Sequence, residues 1–322
     1  MMPRSCSVVM LSIAIATLSG ETNAQAYPTK VLRYVITDVG GSATDVLGRI
    51  IADGLGGVFG HQVIVDNRPG AGGNIGAEFV AHAPADGYTI LQIATTHAAN
   101  ATLFKELGYN LLRDFAAVTQ LASAPSLVVV PAASPVKSIG DLINLAKSKP
   151  GEVTYASAGS GTCGFLGTEL FRRQAGLNMV HVPYKGGAPG VTSVVAGETM
   201  TMFPPIAAAL GQVNQGKLRV LAVTSAERLP MLPDYPTIAE AALPGYEFSC
   251  WYGLVVPAKT PRPIIDAIQS AVAKVLRDPA VVKRLGDMGF VAVGDRPDEF
   301  DARIKSQIEV FRPITRDMAQ PQ

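Results

Sequence analysis

The chain is short of charge, of aromatic side chains and above all of cysteine. Charged residues make up 16 % of it and leave a formal net charge of +1, so it offers no electrostatic footprint for nucleic acid or an anionic membrane surface. Its four histidines, His61, His82, His97 and His181, are scattered without the i,i+4 pairing of a helical metal site. No metal, cofactor or nucleic-acid partner is therefore expected. There is no G-x-x-x-x-G-K-[ST] phosphate loop, since "GSGTCG" lacks the lysine, and Ser157 in "YASAGSG" lacks the G-x-S-x-G elbow of a serine nucleophile. "GAGGNIG" places Gly70, Gly72, Gly73 and Gly76 out of register with a dinucleotide fingerprint.

What is present begins with a leader. Arg4, an apolar run over residues 8–18 and the small-x-small site Ala24-Gln25-Ala26 read as a secretory signal peptide cleaved before Tyr27, giving an exported product. The run is far shorter than the roughly 20 apolar residues that span a bilayer. Cys6 lies ahead of it and cannot become a lipidated mature terminus. Export would expose the remaining cysteines, Cys163 and Cys250, to an oxidising compartment. The sequence leaves open whether they pair, because it does not give their Cα separation.

After the leader, short β-rich runs alternate with helical patterns. "VLRYVIT", "QVIVDNR", "DGYTILQIA", "SLVVVP", "VTYASA", "MVHVPY" and "RVLAVTSA" read as strands. "VLGRIIADGLGGVFG", "AEFVAHA", "IGDLINLAKSK" and "FLGTELFRRQA" read as helices between them. This alternation implies α/β architecture with parallel strands. Towards the end, "PRPIIDAIQSAVAKVLRDPAVVKRLGDMG" is amphipathic helix broken at Asp278-Pro279, and "RPDEFDARIKSQIEVFRPIT" is a final helix with Pro313 near its end. Four loops after strands, "DVGGSATD", "ATTHAAN", "SAGSGTCG" and "YKGGAPG", leave backbone N–H groups near helix starts, the equipment for holding an anion without a charged side chain.

The ordered set "YPTKVLRYV", "NRPGAGGNIGAE", "DGYT", "YASAGSGT", "HVPYKGGAP", "GKLRVLAVTSAERLPMLPDYPTIAEA" and "LPGYE" resembles the Bug-type extracytoplasmic solute receptors of the tripartite tricarboxylate transporter (TctC-like) family. The resemblance implies a two-lobed, type II-like periplasmic binding protein, each lobe a mostly parallel sheet flanked by helices, with the ligand cleft between them. Lobe 1 would comprise residues 27–129 plus 251–322, and lobe 2 residues 130–250. It further implies a monomer, not an enzyme, that binds a small carboxylate (organic acid, aromatic acid or amino acid) and delivers it to integral membrane permease subunits. A periplasmic sensory receptor would use the same fold, and an exported hydrolase would need a nucleophile and base that the sequence does not assemble.

On this reading ligand is held in lobe 1 by Thr37, Asp38, Val39, Gly40, Gly41 and Ser42 after the first strand, and by Thr95, Thr96 and His97. Lobe 2 would contribute Ser157, Gly159, Ser160, Gly161, Thr162 and Cys163, with Tyr184, Lys185 and Gly186. The glycine-rich "DNRPGAGGNIGAE" is expected to seat a helix rather than to touch ligand. Two departures from the family pattern bear on the ligand. "ITDVGGSATD" replaces a Pro-rich run and puts a carboxylate, Asp38, near the cleft. Pro204 in "FPPIAAAL" stands where many relatives carry Asp or Asn. A ligand with one carboxylate and an apolar body, or an amino acid whose ammonium meets Asp38, is the expectation.

Overall fold

A computed structural model describes residues 27–104 and 106–318; the expected leader lies outside them. The described chain opens with β1 (Leu32–Ile36), in which every residue but Arg33 is buried, as suits a central strand of branched and aromatic side chains covered on both faces. It is followed by α1 (Ala43–Phe59), β2 (Val63–Asn67), α2 (Asn74–Ala81), β3 (Thr89–Ala94), α3 (Thr95–Leu103) and the long β4 (Phe115–Pro125). A second sheet then begins with β5 (Leu127–Pro131). It continues through α4 (Ile139–Ser148), β6 (Thr154–Ser157), α5 (Cys163–Gln174), β7 (Val180–Pro183), α6 (Gly187–Ala196), β8 (Thr201–Met202), α7 (Ile206–Asn214), β9 (Leu218–Val223) and α8 (Ile238–Ala241). The chain returns through β10 (Ser249–Pro257) and finishes with α9 (Arg262–Leu276), α10 (Pro279–Asp287), β11 (Val291–Ala292) and α11 (Pro297–Met318).

The first sheet has the order β11-β4-β10-β3-β1-β2 and the second β7-β6-β8-β5-β9. This is the expected two-lobed α/β class, but the sheets are mixed rather than mostly parallel, with antiparallel pairs at β3/β10, β4/β10, β4/β11, β5/β8 and β5/β9. Strands are parallel where strand-helix-strand units form the sheets, at β1/β2, β1/β3, β6/β7 and β6/β8. They are antiparallel where the chain leaves and re-enters a lobe, because β4 runs out as β10 runs back, from Ser249 opposite Pro125 to Pro257 opposite Phe115. The sheet changes at Ser126. Val129 and Val130 thus both lie inside β5, while Ser249 and Cys250 already pair with β4.

Hydrogen bonds tie the two crossings together. Ser126 N–H donates to Thr224 Oγ1 (2.8 Å), Thr224 N–H donates to Ser126 O (3.0 Å), and Phe248 N–H donates to Thr224 O (2.8 Å). Thr224 is fully buried, so these bonds are made away from competing water. One apolar cluster covers a face of the first sheet through Leu47, Ile51 and Ile268; another lies within the second lobe around Val129, Val194 and Met202. The largest runs through both lobes, joining Val35 and Leu91 to Phe165, Phe171 and Phe203 by way of Trp251, Phe300 and Phe311. Helix α11 straps the lobes on this face. Its Phe300 packs edge-on to Trp251 (5.3 Å), its Thr315 hydroxyl donates to Thr102 Oγ1 of α3 (2.8 Å), and Pro313 O accepts from Arg173 of α5 (3.2 Å).

Candidate ligand cleft

In lobe 1 the loop after β1 is built around Asp45. Its Oδ2 accepts from Gly41 N–H (2.8 Å) and Arg49 Nε (2.9 Å), and its Oδ1 accepts from Asn67 Nδ2 (2.9 Å), which also donates to Asp38 O (3.1 Å). Burial alone would raise the Asp45 pKa, but these bonds outweigh it and hold the carboxyl below its usual range. Ser42 caps α1 by accepting from Asp45 N–H (3.1 Å), and Gly41 takes the positive φ (+82°) that lets the chain turn into the helix. Thr37 is buried beneath; Val39, Gly40 and Gly41 are exposed, and Asp38 and Ser42 are half-buried. Asp38 Oδ1 accepts from Val39 N–H (2.8 Å). Tyr252 on β10 is half-buried near this loop, edge-on to Phe290 (5.4 Å). Burial raises its pKa, a hydrogen bond with Thr44 opposes the rise, and the Asp38 charge adds to it.

The glycine segment closes the back of the same region. Gly70, Gly72 and Gly73 all have positive φ, and a Cβ on Gly73 would come within 2.8 Å of His97 Nε2 and 3.2 Å of Thr37 Cβ. Asn100 holds the segment by donating to Gly72 O (2.9 Å) and Asn74 Oδ1 (3.0 Å). Asn67 turns to the neighbouring loop instead, while Arg68 pairs with Asp66 (2.9 Å).

Thr95 and His97 start α3 but present no side-chain surface to a ligand. Thr95 is fully buried, its Oγ1 accepting from Trp251 N–H (2.7 Å) and facing Trp251 O (3.3 Å). His97 is 1 % exposed, and its Nδ1 accepts from Ala94 N–H (3.1 Å). Burial pushes its pKa down to about 4, against backbone contacts at Ala94 and Gly73, so the ring is a neutral cap on the helix start. Thr96, between them, is half-buried.

Lobe 2 repeats the arrangement. Ser157 is buried at the end of β6; its Oγ lies 2.7 Å from His181 Nε2 and accepts from Gly159 N–H (3.0 Å). Burial lowers the His181 pKa and the Glu169 charge opposes this. Glu169 itself is bound to the Tyr155 hydroxyl (2.6 Å) and Arg172 (2.8 Å), so Ser157 and His181 have neither an exposed nucleophile nor an orienting carboxylate. Thr162 donates to Gly159 O (2.7 Å), Gly159 and Gly161 take positive φ, and Ser160 is exposed. Tyr184 N–H donates to Ser157 O (2.9 Å), Lys185 is exposed, and Gly186 starts α6 with φ +111°. Pro204 is buried, its carbonyl accepting from Leu127 N–H (3.0 Å).

Helices α4, α8 and α10 are capped by the side chains of Ser138, Thr237 and Asp278. Helices α3, α5 and α6 start at Ala94, Thr162 and Gly186 with no such hydrogen bond, the Thr162 hydroxyl being turned to Gly159. Their first N–H groups therefore receive no bond from an N-cap side chain. A disulfide joins Cys163, the first residue of α5, to Cys250 (Cα–Cα 5.9 Å), beside the Trp251 that holds Thr95. The starts of a lobe 1 helix and a lobe 2 helix are thereby brought together. The sequence named both cysteines and left their pairing open, and it gave no sign of the Asp45–Asn67 support; both depend on pairings distant in the chain.

The model of the tripartite tricarboxylate transporter family receptor matches residues 47–319. The chain belongs to that family. It is 30 % identical to protein BugT of Bordetella pertussis over 98 % of both chains. A solved structure titled R. palustris Rpa4515 with adipate superposes with TM-score 0.74 at 34 % identity, covering 90 % of this chain and 97 % of that one. MatC from Rhodopseudomonas palustris with bound malate gives 0.72 at 28 %, covering 90 % and 100 %. The chain is thus a receptor of the solute-binding type, and a further solved relative, at 28 % identity and TM-score 0.71 over 90 % of this chain and 98 % of that one, is titled periplasmic binding protein BugD.

Proposed function

We propose that this receptor holds a small carboxylate between its lobes, in the periplasm, and presents it to membrane permease subunits. The carrying observation is the meeting of two helix starts from opposite lobes that no N-cap side chain bonds, α3 and α5, joined through Thr95, Trp251, Cys250 and Cys163. Several N–H groups aimed at one point hold a carboxylate without a cation, each charge-assisted bond contributing roughly 1.5–3 kcal/mol. Adipate and malate in the two relatives support the ligand class. Residues 37–42, 95–97, 157–163, 184–186 and 204 form the candidate contact set, with Thr95, His97 and Ser157 acting through the backbone they position. Asp38 favours a ligand whose charge is confined to one end, or one carrying an ammonium.

Thermal-shift screening of the chain from Tyr27 to Gln322 tests this with adipate, malate, aromatic acids and amino acids. A ligand at about 100 times its dissociation constant stabilises the fold by roughly 2.7 kcal/mol. A shift with at least one carboxylate, reproduced by calorimetric titration at 1:1, is the expected result. Shifts only with uncharged solutes would overturn the reading.

A further inference from the structure

The backbone passes between the two sheets at Ser126 and again just before Ser249. Two such crossings define a hinge about which lobes can bend and twist. The Cys163–Cys250 bond adds a third connection, since Cys163 belongs to α5 of the second lobe while Cys250 pairs with Ala124 in the first sheet. It lies two residues beyond the Phe248–Thr224 hydrogen bond, about 7 Å along the strand at ~3.4 Å per residue. A connection this close to the axis permits rotation but fixes what lies beside it. What lies beside it is the start of α5 and, through Trp251 and Thr95, the start of α3.

The first turn of α5 is held by Phe165, packed on His181 (4.7 Å), and by the buried Leu166, while Cys163 is its one covalent tie to the first sheet. Gly159 and Gly161 precede the helix, the Thr162 hydroxyl and N–H turn back to Gly159 O, and no N-cap side chain bonds the helix. Gly164 sits so close to Phe203 O that a Cβ there would approach to 2.6 Å, so the helix start packs tightly within the second lobe, and the disulfide alone carries it covalently to the first sheet. We infer that this disulfide is a covalent pin that holds the helix starts of the cleft together across the hinge, and that thiol–disulfide exchange releases it. The consequence for solute affinity rests on the receptor reading above; the pin itself does not.

The exchange needs a dithiol. One thiolate of the reductant attacks Sγ of the half-buried Cys163, forming a mixed disulfide and expelling Cys250 as a thiolate that takes up a proton. The second thiolate of the reductant closes its own disulfide and expels Cys163. The reductant loses two electrons and the protein gains them as two thiols. Position at a helix N-terminus stabilises the departing Cys163 thiolate.

Hydrogen exchange on the solute-free protein tests the pin, comparing oxidised wild type, wild type with dithiothreitol, and Cys163→Ser/Cys250→Ser. Exchange about tenfold faster in residues 157–166 and 94–99 is expected for the reduced protein and the variant, with β1 and α9 unchanged. Dithiothreitol should leave the variant as it is. Equal exchange in all three samples would overturn the pin, as would acceleration spread over β1 and α9, which marks general destabilisation. Titration with adipate, the carboxylate bound by a relative, should give an approximately tenfold weaker dissociation constant in the reduced form. An unchanged constant overturns the link to affinity. Failure of adipate and every other carboxylate to bind either form would count against the receptor reading, and the exchange data would still decide the pin.

Discussion

Thr95 Oγ1 receives the backbone N–H of Trp251 at 2.7 Å, fastening the first residue of α3 to the strand that re-enters lobe 1. Both residues are buried, so no water can replace the bond. Thr95→Val keeps the shape and leaves the Trp251 N–H unpaired, which costs about 1–3 kcal/mol. Thr95→Ser retains the hydroxyl and should lose much less. Urea denaturation of the two variants checks the ordering, and a larger loss for Thr95→Ser than for Thr95→Val would show that packing of the methyl, not the hydrogen bond, is what matters.

His97 predicts an acid-labile step. Its pKa in the folded protein is about 4, while in the unfolded chain it returns to 6.5. Above pH 6.5 both states are neutral and the site has no effect. Between 6.5 and about 4 only the unfolded chain takes up the proton, so stability falls as pH falls, by up to roughly 3 kcal/mol at 1.36 kcal/mol per unit. Asp45, whose carboxyl is held below its usual range, loses its contribution only at lower pH still. Denaturation at pH 7.5 and pH 4.5 should therefore show a smaller difference for His97→Gln than for wild type.

The same residues show how far sequence reasoning reaches. Strand-helix alternation is written in local periodicity, and "VLRYVIT" and "IGDLINLAKSK" become β1 and α4 nearly in register. β4, "FAAVTQLASAP", carries no such signal, because small residues suit a strand packed on both sides and its partner β10 comes more than a hundred residues later. The candidate cleft loops were legible because Gly, Ser and Thr mark a backbone that turns after a strand. Which of their side chains are covered was not. That depends on Trp251 over Thr95, Gly73 against His97 and His181 on Ser157, contacts that tertiary packing alone creates. The disulfide spans a separation of 87 residues, with no pattern between its ends.

Gly253 on β10 is a packing requirement of the hinge face. A Cβ there would drive into the Phe300 ring, with Cε2 at 2.9 Å, and Phe300 is fully buried against Trp251. Gly253→Ala should destabilise by about 1–3 kcal/mol through overpacking. If that collision is the cause, Gly253→Ala combined with Phe300→Leu will lose less than the two single changes added together, as a double-mutant cycle of denaturation energies would reveal.

Ser157 separates positioning from contact. Its Oγ holds Gly159 N–H at 3.0 Å and meets His181 at 2.7 Å, yet the side chain has no exposed surface. Ser157→Ala therefore removes nothing a ligand touches, but frees the loop that aims the start of α5. Affinity for the carboxylate found by screening should fall about tenfold, by a coupling of roughly 1.4 kcal/mol. His181→Phe, which removes Nε2 but leaves the Ser157–Gly159 bond, should fall less. The two effects are best read in the dissociation rate, since a misaligned but intact cleft loses residence time more than encounter rate. If Ser157→Ala bound as tightly as wild type, the loop would be held by Thr162 and Tyr184 alone, and the hydroxyl would have no part in shaping the cleft.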